Sequence, residues 1–157
     1  MNGMVIIGAG ECGTRAAFAL REHGYTGPVT LIGAETGLPY ERPPLSKPGE
    51  AGVRRKPICD AAALAGAGID YRPGTVVQGI DPAARRVMLV GGSLGYDRLL
   101  LATGARPRRL SCPGADLAGL HRVRNKADCD ALIASFTGSQ RFAIVGGGYI
   151  GLEAAAV

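Results

Sequence analysis

The sequence predicts an α/β fold: a parallel sheet with an antiparallel β insertion, then the first strand and helix start of a second unit of the same kind. Three observations predict it. Apolar strand runs alternate with helical patterns. Glycine is far above ordinary usage, at 25 of 157 residues. One strand, glycine turn and helix phrase occurs near both ends of the chain, 138 positions apart. With 46% hydrophobic and 20% charged residues the chain can bury a core, which excludes a disordered tail. Glycine follows no Gly-X-Y period, and no apolar run reaches the roughly 18 residues of a membrane span.

The elements follow in order. Val5-Ile6-Ile7 is a short buried-strand run. Gly8, Gly10 and Gly13 then divide the work of a phosphate-binding turn. Gly8 permits the tight turn, Gly10 lets a pyrophosphate approach bare backbone, and Gly13 lets the helix pack closely on the sheet. Ala16, Ala19, Leu20 and His23 keep helical spacing up to a stop at Gly24. A second strand, Val29-Thr30-Leu31-Ile32, ends near Glu35, 22 positions beyond Gly13. An acidic residue at that spacing can accept the ribose hydroxyls of an adenosine.

Residues 37–57 are rich in proline, glycine and charge. A helix is expected from Ile58 to Ala67, then short strands at 69–72, 75–80 and 85–90, with a turn at Asp81-Pro82. Leu99-Leu100-Leu101-Ala102 is an apolar strand, followed by Thr103-Gly104, and a helix is expected from Ala127 to Phe136. Residues 142–145 read as the strand of the second copy, with Gly146, Gly148 and Gly151 superimposing on Gly8, Gly10 and Gly13. The sequence stops six residues after Gly151, inside that helix, so the reading expects the front part of a longer protein. It assigns 1–110 to the first segment of one dinucleotide domain, 111–140 to a connection and helix, and 141–157 to the start of another.

The net charge of +5 suits a phosphate-rich ligand or an acidic partner. Nucleic acid is disfavoured: there is no tryptophan, aromatics are 5%, and no basic-aromatic alternation appears. Cys12, Cys59, Cys112 and Cys129 form no C-x-x-C pair, so neither a metal site nor a dithiol centre is expected. His23 and His121 have no partners at ligand spacing. The strand pattern begins almost at Met1 without a leader, which reads as cytoplasmic.

Four phrases occur in order: the Gly8–Gly13 loop, P-Y-E-R-P-P-L-S-K at 39–47, Y-D-R-L-L-L-A-T-G-A-R-P-R at 96–108, and I-V-G-G-G-Y-I-G-L-E at 144–153. Together they resemble the FAD-dependent pyridine nucleotide-disulfide oxidoreductases, and within them the ferredoxin, rubredoxin and putidaredoxin reductase group. The resemblance implies a Rossmann-like FAD-binding domain interrupted by a Rossmann-like NAD(P)-binding domain. It implies NAD(P)H oxidation through FAD, with electrons passed to a small acidic iron–sulfur or rubredoxin-type carrier. Alternatives are an NADH oxidase or nitrite reductase-type flavoprotein, or a non-catalytic nucleotide-binding fragment.

The resemblance also carries residues. The Gly8–Gly13 loop would hold the FAD pyrophosphate, with Cys12 packed in it as an inert thiol, and Glu35 would hold the ribose. Lys47 would lie beside the flavin ring with Arg42 nearby, where an ammonium stabilises the charge of the reduced ring. Glu153 would pair with Lys47. Val77 would contact adenine through its backbone, Thr103 and Gly104 would pack on the cofactor, and Arg124 would reach it. Gly146, Gly148 and Gly151 would serve the nicotinamide nucleotide, and Tyr149 would shield that site or simply fill space. Arg54-Arg55-Lys56 and Arg106, Arg108 and Arg109 would either attract the acidic carrier or form solvated faces.

Overall fold

A computed structural model describes residues 2–47, 55–136 and 141–156. The chain divides into two compact units, Met1–Glu41 with Pro57–Gly104, and Arg42–Lys56 with Ala105–Val157.

The first unit holds all the strands among the described residues. β1 (Met4–Ile7), β2 (Val29–Ile32), β3 (Ile69–Arg72) and β7 (Arg98–Leu101) form a parallel sheet in the order β3-β2-β1-β7. β4 (Val77–Asp81), β5 (Arg86–Leu89) and β6 (Gly92–Gly95) form the antiparallel insertion. Alternate strand residues face opposite sides of a sheet, and here both sides are covered. Ile6, Val29, Leu31 and Ile69 pack with Ala17 of α1 (Glu11–Glu22) and Leu64 of α2 (Ala61–Gly66). Val5, Ile7 and Ile32 pack with Val87 of β5 and with Tyr96. Burial on both faces is why β1 is apolar throughout rather than alternating.

One expected element shifts and one unexpected element is present. α2 begins at Ala61 rather than Ile58, because Asp60 caps it, its carboxylate accepting from the Ala63 N–H at 2.7 Å. β6 was not expected, since its ends are Gly92 and Gly95 and glycine weakens a strand signal.

Arg21 ties the far end of α1 to its surroundings. Its guanidinium donates to four carbonyls: Ala67 at 2.8 Å, Tyr25 at 2.6 Å, Gly27 at 2.8 Å and Gly68 at 2.9 Å. One planar, always-charged fork thus satisfies the loop after α1 and the turn between α2 and β3.

The second unit contains a 3-10 turn, Pro43–Ser46, and two helices, α3 (Lys126–Phe136) and α4 (Tyr149–Ala155). α3 starts on a reciprocal cap. Asp128 accepts from the Arg124 and Asn125 N–H groups at 3.0 Å each, and Asn125 accepts from the Asp128 N–H at 2.8 Å. The buried Cys129 thiol donates to the Leu45 carbonyl at 3.2 Å, fastening α3 to the 3-10 turn. Residues 142–145, expected as the strand of the second copy, pair with no described strand, and Phe142, Ile144 and Val145 are exposed. An apolar run becomes a strand only when a neighbour takes its hydrogen bonds.

Arg21→Ala is expected to lower the stability of the protein by about 1–3 kcal/mol, since several charge-assisted bonds to part-buried and exposed carbonyls are lost together. Arg21→Lys recovers only part of this, because one ammonium cannot span four acceptors. Urea unfolding midpoints check both; an unchanged midpoint for Arg21→Ala refutes the clamp.

Candidate functional site: two glycine turns and a carboxylate–lysine pair

The first glycine turn sits where the chain order of the parallel sheet reverses. From β1 the chain goes to β2 on one side and returns to β7 on the other. Ligands of open α/β sheets bind at such a point, outside the carboxyl ends of the strands. Gly8 has φ +111°, and a Cβ there would strike the Ala102 carbonyl. A Cβ on Gly13 would strike the Gly8 carbonyl oxygen. Gly10, the N-cap of α1 with φ −82°, has open space before it. No side chain caps α1, so its first N–H groups face that space with the positive end of the helix dipole.

The other first-unit residues gather at the same edge. The Gly33 N–H donates to Arg72, Gly74 donates to the Glu35 carbonyl at 3.0 Å, and Thr75 donates to the Gly33 carbonyl at 2.9 Å. These bonds lay the segment leading to Val77 alongside the half-buried Glu35. The Glu35 carboxylate accepts from the buried Tyr40 hydroxyl at 2.5 Å, a bond that fixes its direction and that no local pattern announces. Thr103 and Gly104, both exposed, follow β7 beside Gly8, and Gly104 takes φ +70°. Cys12 corrects the expectation of a packed thiol: it lies exposed in the first turn of α1.

In the second unit the glycine geometry repeats. Gly146 has φ +116°, and a Cβ on Gly151 would strike the Gly146 carbonyl and come within 3.3 Å of Ile144 Cγ2. Gly13 shows the same pair of neighbours, with Ile6 Cγ2 at 3.2 Å. Gly148 caps α4 with φ −78°, uncapped by any side chain and open in front, as Gly10 does for α1. Tyr149 behind it is 87% exposed.

The P-P-L-S-K segment and α4 meet in this unit. Lys47 Nζ lies 3.3 Å from Glu153 Oε1, while the Ser46 hydroxyl donates to Glu153 Oε2. The Ser46 bond, with the Lys47 ammonium adding to it, holds the Glu153 carboxyl below the usual carboxylate range against a smaller opposing effect of burial. Arg42 and Arg124 also come together, the Arg42 guanidinium donating to the Arg124 carbonyl at 2.7 Å. Arg124 lines an open groove of about 370 Å³ with His121, Arg122 and Asn125. Arg106, Arg108 and Arg109 are exposed, as are Arg55 and Lys56, and Arg54 lies outside the described residues. Among the described residues no group of acidic, histidine or cysteine side chains has the arrangement of a metal site, and no helix is long and apolar enough to cross a membrane.

Fold and glycine turns define a dinucleotide-binding α/β protein carrying the phosphate turn twice. The profile of the pyridine nucleotide-disulphide oxidoreductases matches residues 3–157, and the chain belongs to that family. It is 48% identical to a ferredoxin–NAD(P)+ reductase of a Sphingomonas species, over 98% of this chain and 38% of the relative. It is 46% identical to the ferredoxin–NAD+ reductase component of the biphenyl dioxygenase system of Paraburkholderia xenovorans, over 97% of this chain and 38% of the relative. Among solved structures it resembles the ferredoxin reductase for the CYP199A2 system of Rhodopseudomonas palustris, with TM-score 0.92, 32% identity, and coverage of 99% and 39%. It also resembles the covalent putidaredoxin reductase–putidaredoxin complex, with TM-score 0.85, 35% identity, and coverage of 98% and 39%. The chain thus spans somewhat over a third of the length of these relatives.

Gly10→Ala is expected to cost less than about 1 kcal/mol, since the methyl enters open space and only an N-cap preference is lost. Gly13→Ala is expected to cost about 1–3 kcal/mol or more through overpacking against backbone. Thermal melts of the two variants check the order; equal losses refute the close approach.

Proposed function

We propose that the protein binds FAD on the first glycine turn and NAD(P)H on the second, and passes electrons from NAD(P)H to a ferredoxin-type iron–sulfur carrier. The observation that carries this reading is the doubled turn. Two loops 138 residues apart share the left-handed first glycine, the open N-cap glycine and the backbone contact of the third. One such loop serves one dinucleotide; two call for a donor and an acceptor. Residues 1–110 would then be the first segment of the flavin domain, 111–140 the connection, and 141–157 the start of the nucleotide domain. The relatives named as ferredoxin reductases, one of them a component of a dioxygenase system, support the ferredoxin carrier over the rubredoxin type.

The residues present suit the cofactor. Gly10 and the uncapped start of α1 offer N–H donors to a pyrophosphate. Glu35, braced by Tyr40, presents an oriented carboxylate for ribose hydroxyls. Val77, Thr103 and Gly104 would line the adenine and pyrophosphate path, and Cys12 would sit in the loop without reacting. When bound, FAD supplies the group that accepts hydride and releases single electrons. Lys47 would provide fixed positive charge toward the flavin ring, with Glu153 as its counter-ion, while Arg42 and Arg124 would add charge along the cofactor. Arg106, Arg108 and Arg109 supply positive charge that would speed encounter with an acidic carrier.

The purified protein is expected to be yellow, with its flavin absorbance bleached by NADH or NADPH under anaerobic conditions. Lys47→Ala should slow that bleaching at least several-fold. A colourless protein that still binds NADH refutes the flavoprotein reading, and an unchanged bleaching rate in Lys47→Ala removes that residue from the site.

A further inference from the structure

Ser46 ends the 3-10 turn, where it is buried. Pro43 and Pro44 fix the backbone leading into it, and the Leu45 carbonyl is held by Cys129 of α3. Its hydroxyl has one proton and two acceptors in reach, the Pro43 carbonyl at 3.3 Å and the nearer Glu153 carboxylate. The anionic, closer acceptor takes the proton. The other carboxylate oxygen faces Lys47. Adjacent residues on a helix do not face one way, yet here they grip one carboxylate, because Lys47 leaves the turn with φ −126° and ψ 61°.

The pair alone would not hold this arrangement. Lys47 is 61% exposed and Glu153 34%, so water competes for both charges and the long lysine keeps its rotamer freedom. Ser46 has one side-chain torsion and an anchored backbone, so little further ordering is needed for it to donate.

We propose that Ser46 is the positioning residue of this pair, its hydroxyl fixing the direction of the Glu153 carboxylate and so holding it against Lys47. For the flavin this matters only on the reading that Lys47 serves the ring. The groups of the described residues that act on the Glu153 carboxylate are the Ser46 hydroxyl and the Lys47 ammonium, both from the turn that α4 packs against. Because Glu153 binds its proton less tightly folded than unfolded, the tie is complete above the unfolded carboxyl value. It is lost as pH falls through the folded value.

The test is a ¹³C-carboxyl NMR titration of Glu153 in the protein, beside the acid limb of flavin reduction by NADH. Ser46→Ala and Ser46→Cys are expected to move the Glu153 midpoint up toward the ordinary glutamate value, and Ser46→Thr to restore it. The acid limb of flavin reduction should move up in the same variants. A Glu153 midpoint that Ser46→Ala leaves in place overturns the proposal. A midpoint that moves while the acid limb stays still supports the hold of Ser46 on Glu153 and refutes instead the placement of the pair at the flavin.

Discussion

The Gly8 carbonyl oxygen occupies the place where a side chain at position 13 would begin, and the first unit is built around that approach. It lets α1 settle on the sheet deeply enough for Ala17 to join Ile6, Val29 and Leu31 in the core. It also aims the uncapped start of α1 across the carboxyl end of β1, between β2 and β7. Packing and binding geometry therefore have one cause. The second turn shows how local that cause is. Gly146–Gly151 adopts the same backbone although residues 142–145 pair with no described strand. The glycine spacing dictates the turn and the close approach, and the sheet only exploits them.

What could be read in the sequence follows the same division. β1 and β2 were legible as largely apolar runs, since a strand buried on both faces leaves little polar alternation, and β7 was legible from its three consecutive leucines. The glycine turns were legible because Gly8 and Gly146 take a left-handed backbone and Gly13 and Gly151 approach a carbonyl oxygen, demands that only glycine meets, while Gly10 and Gly148 keep the space before the helix start open. β6 was not, being half glycine. Tyr40 on Glu35 and Ser46 on Glu153 were also out of reach. A hydroxyl proton finds its acceptor through tertiary placement, and Ser46 and Glu153 are 107 residues apart. The available signal was proximity to a charged residue already singled out: Ser46 precedes Lys47, and Tyr40 is the second residue of the same phrase.

That phrase does more than present a lysine. Within the second unit, Arg42 reaches the carbonyl of Arg124, Leu45 accepts the thiol of Cys129, and Ser46 and Lys47 share Glu153. The paired prolines supply the rigidity. They cannot donate backbone hydrogen bonds and hold φ near one value, so the segment loses little freedom when its side chains are tied. A lysine–glutamate pair in such a frame, its lysine exposed and its glutamate half-buried, adds little to stability, because water still screens the charges. Its worth lies in direction: a charge kept in one place acts on a ligand without first being reorganised, whereas a charge free to wander must be. The burial that makes Ser46 a poor contributor to surface solvation is therefore what makes it a good guide for the more exposed Lys47 and Glu153.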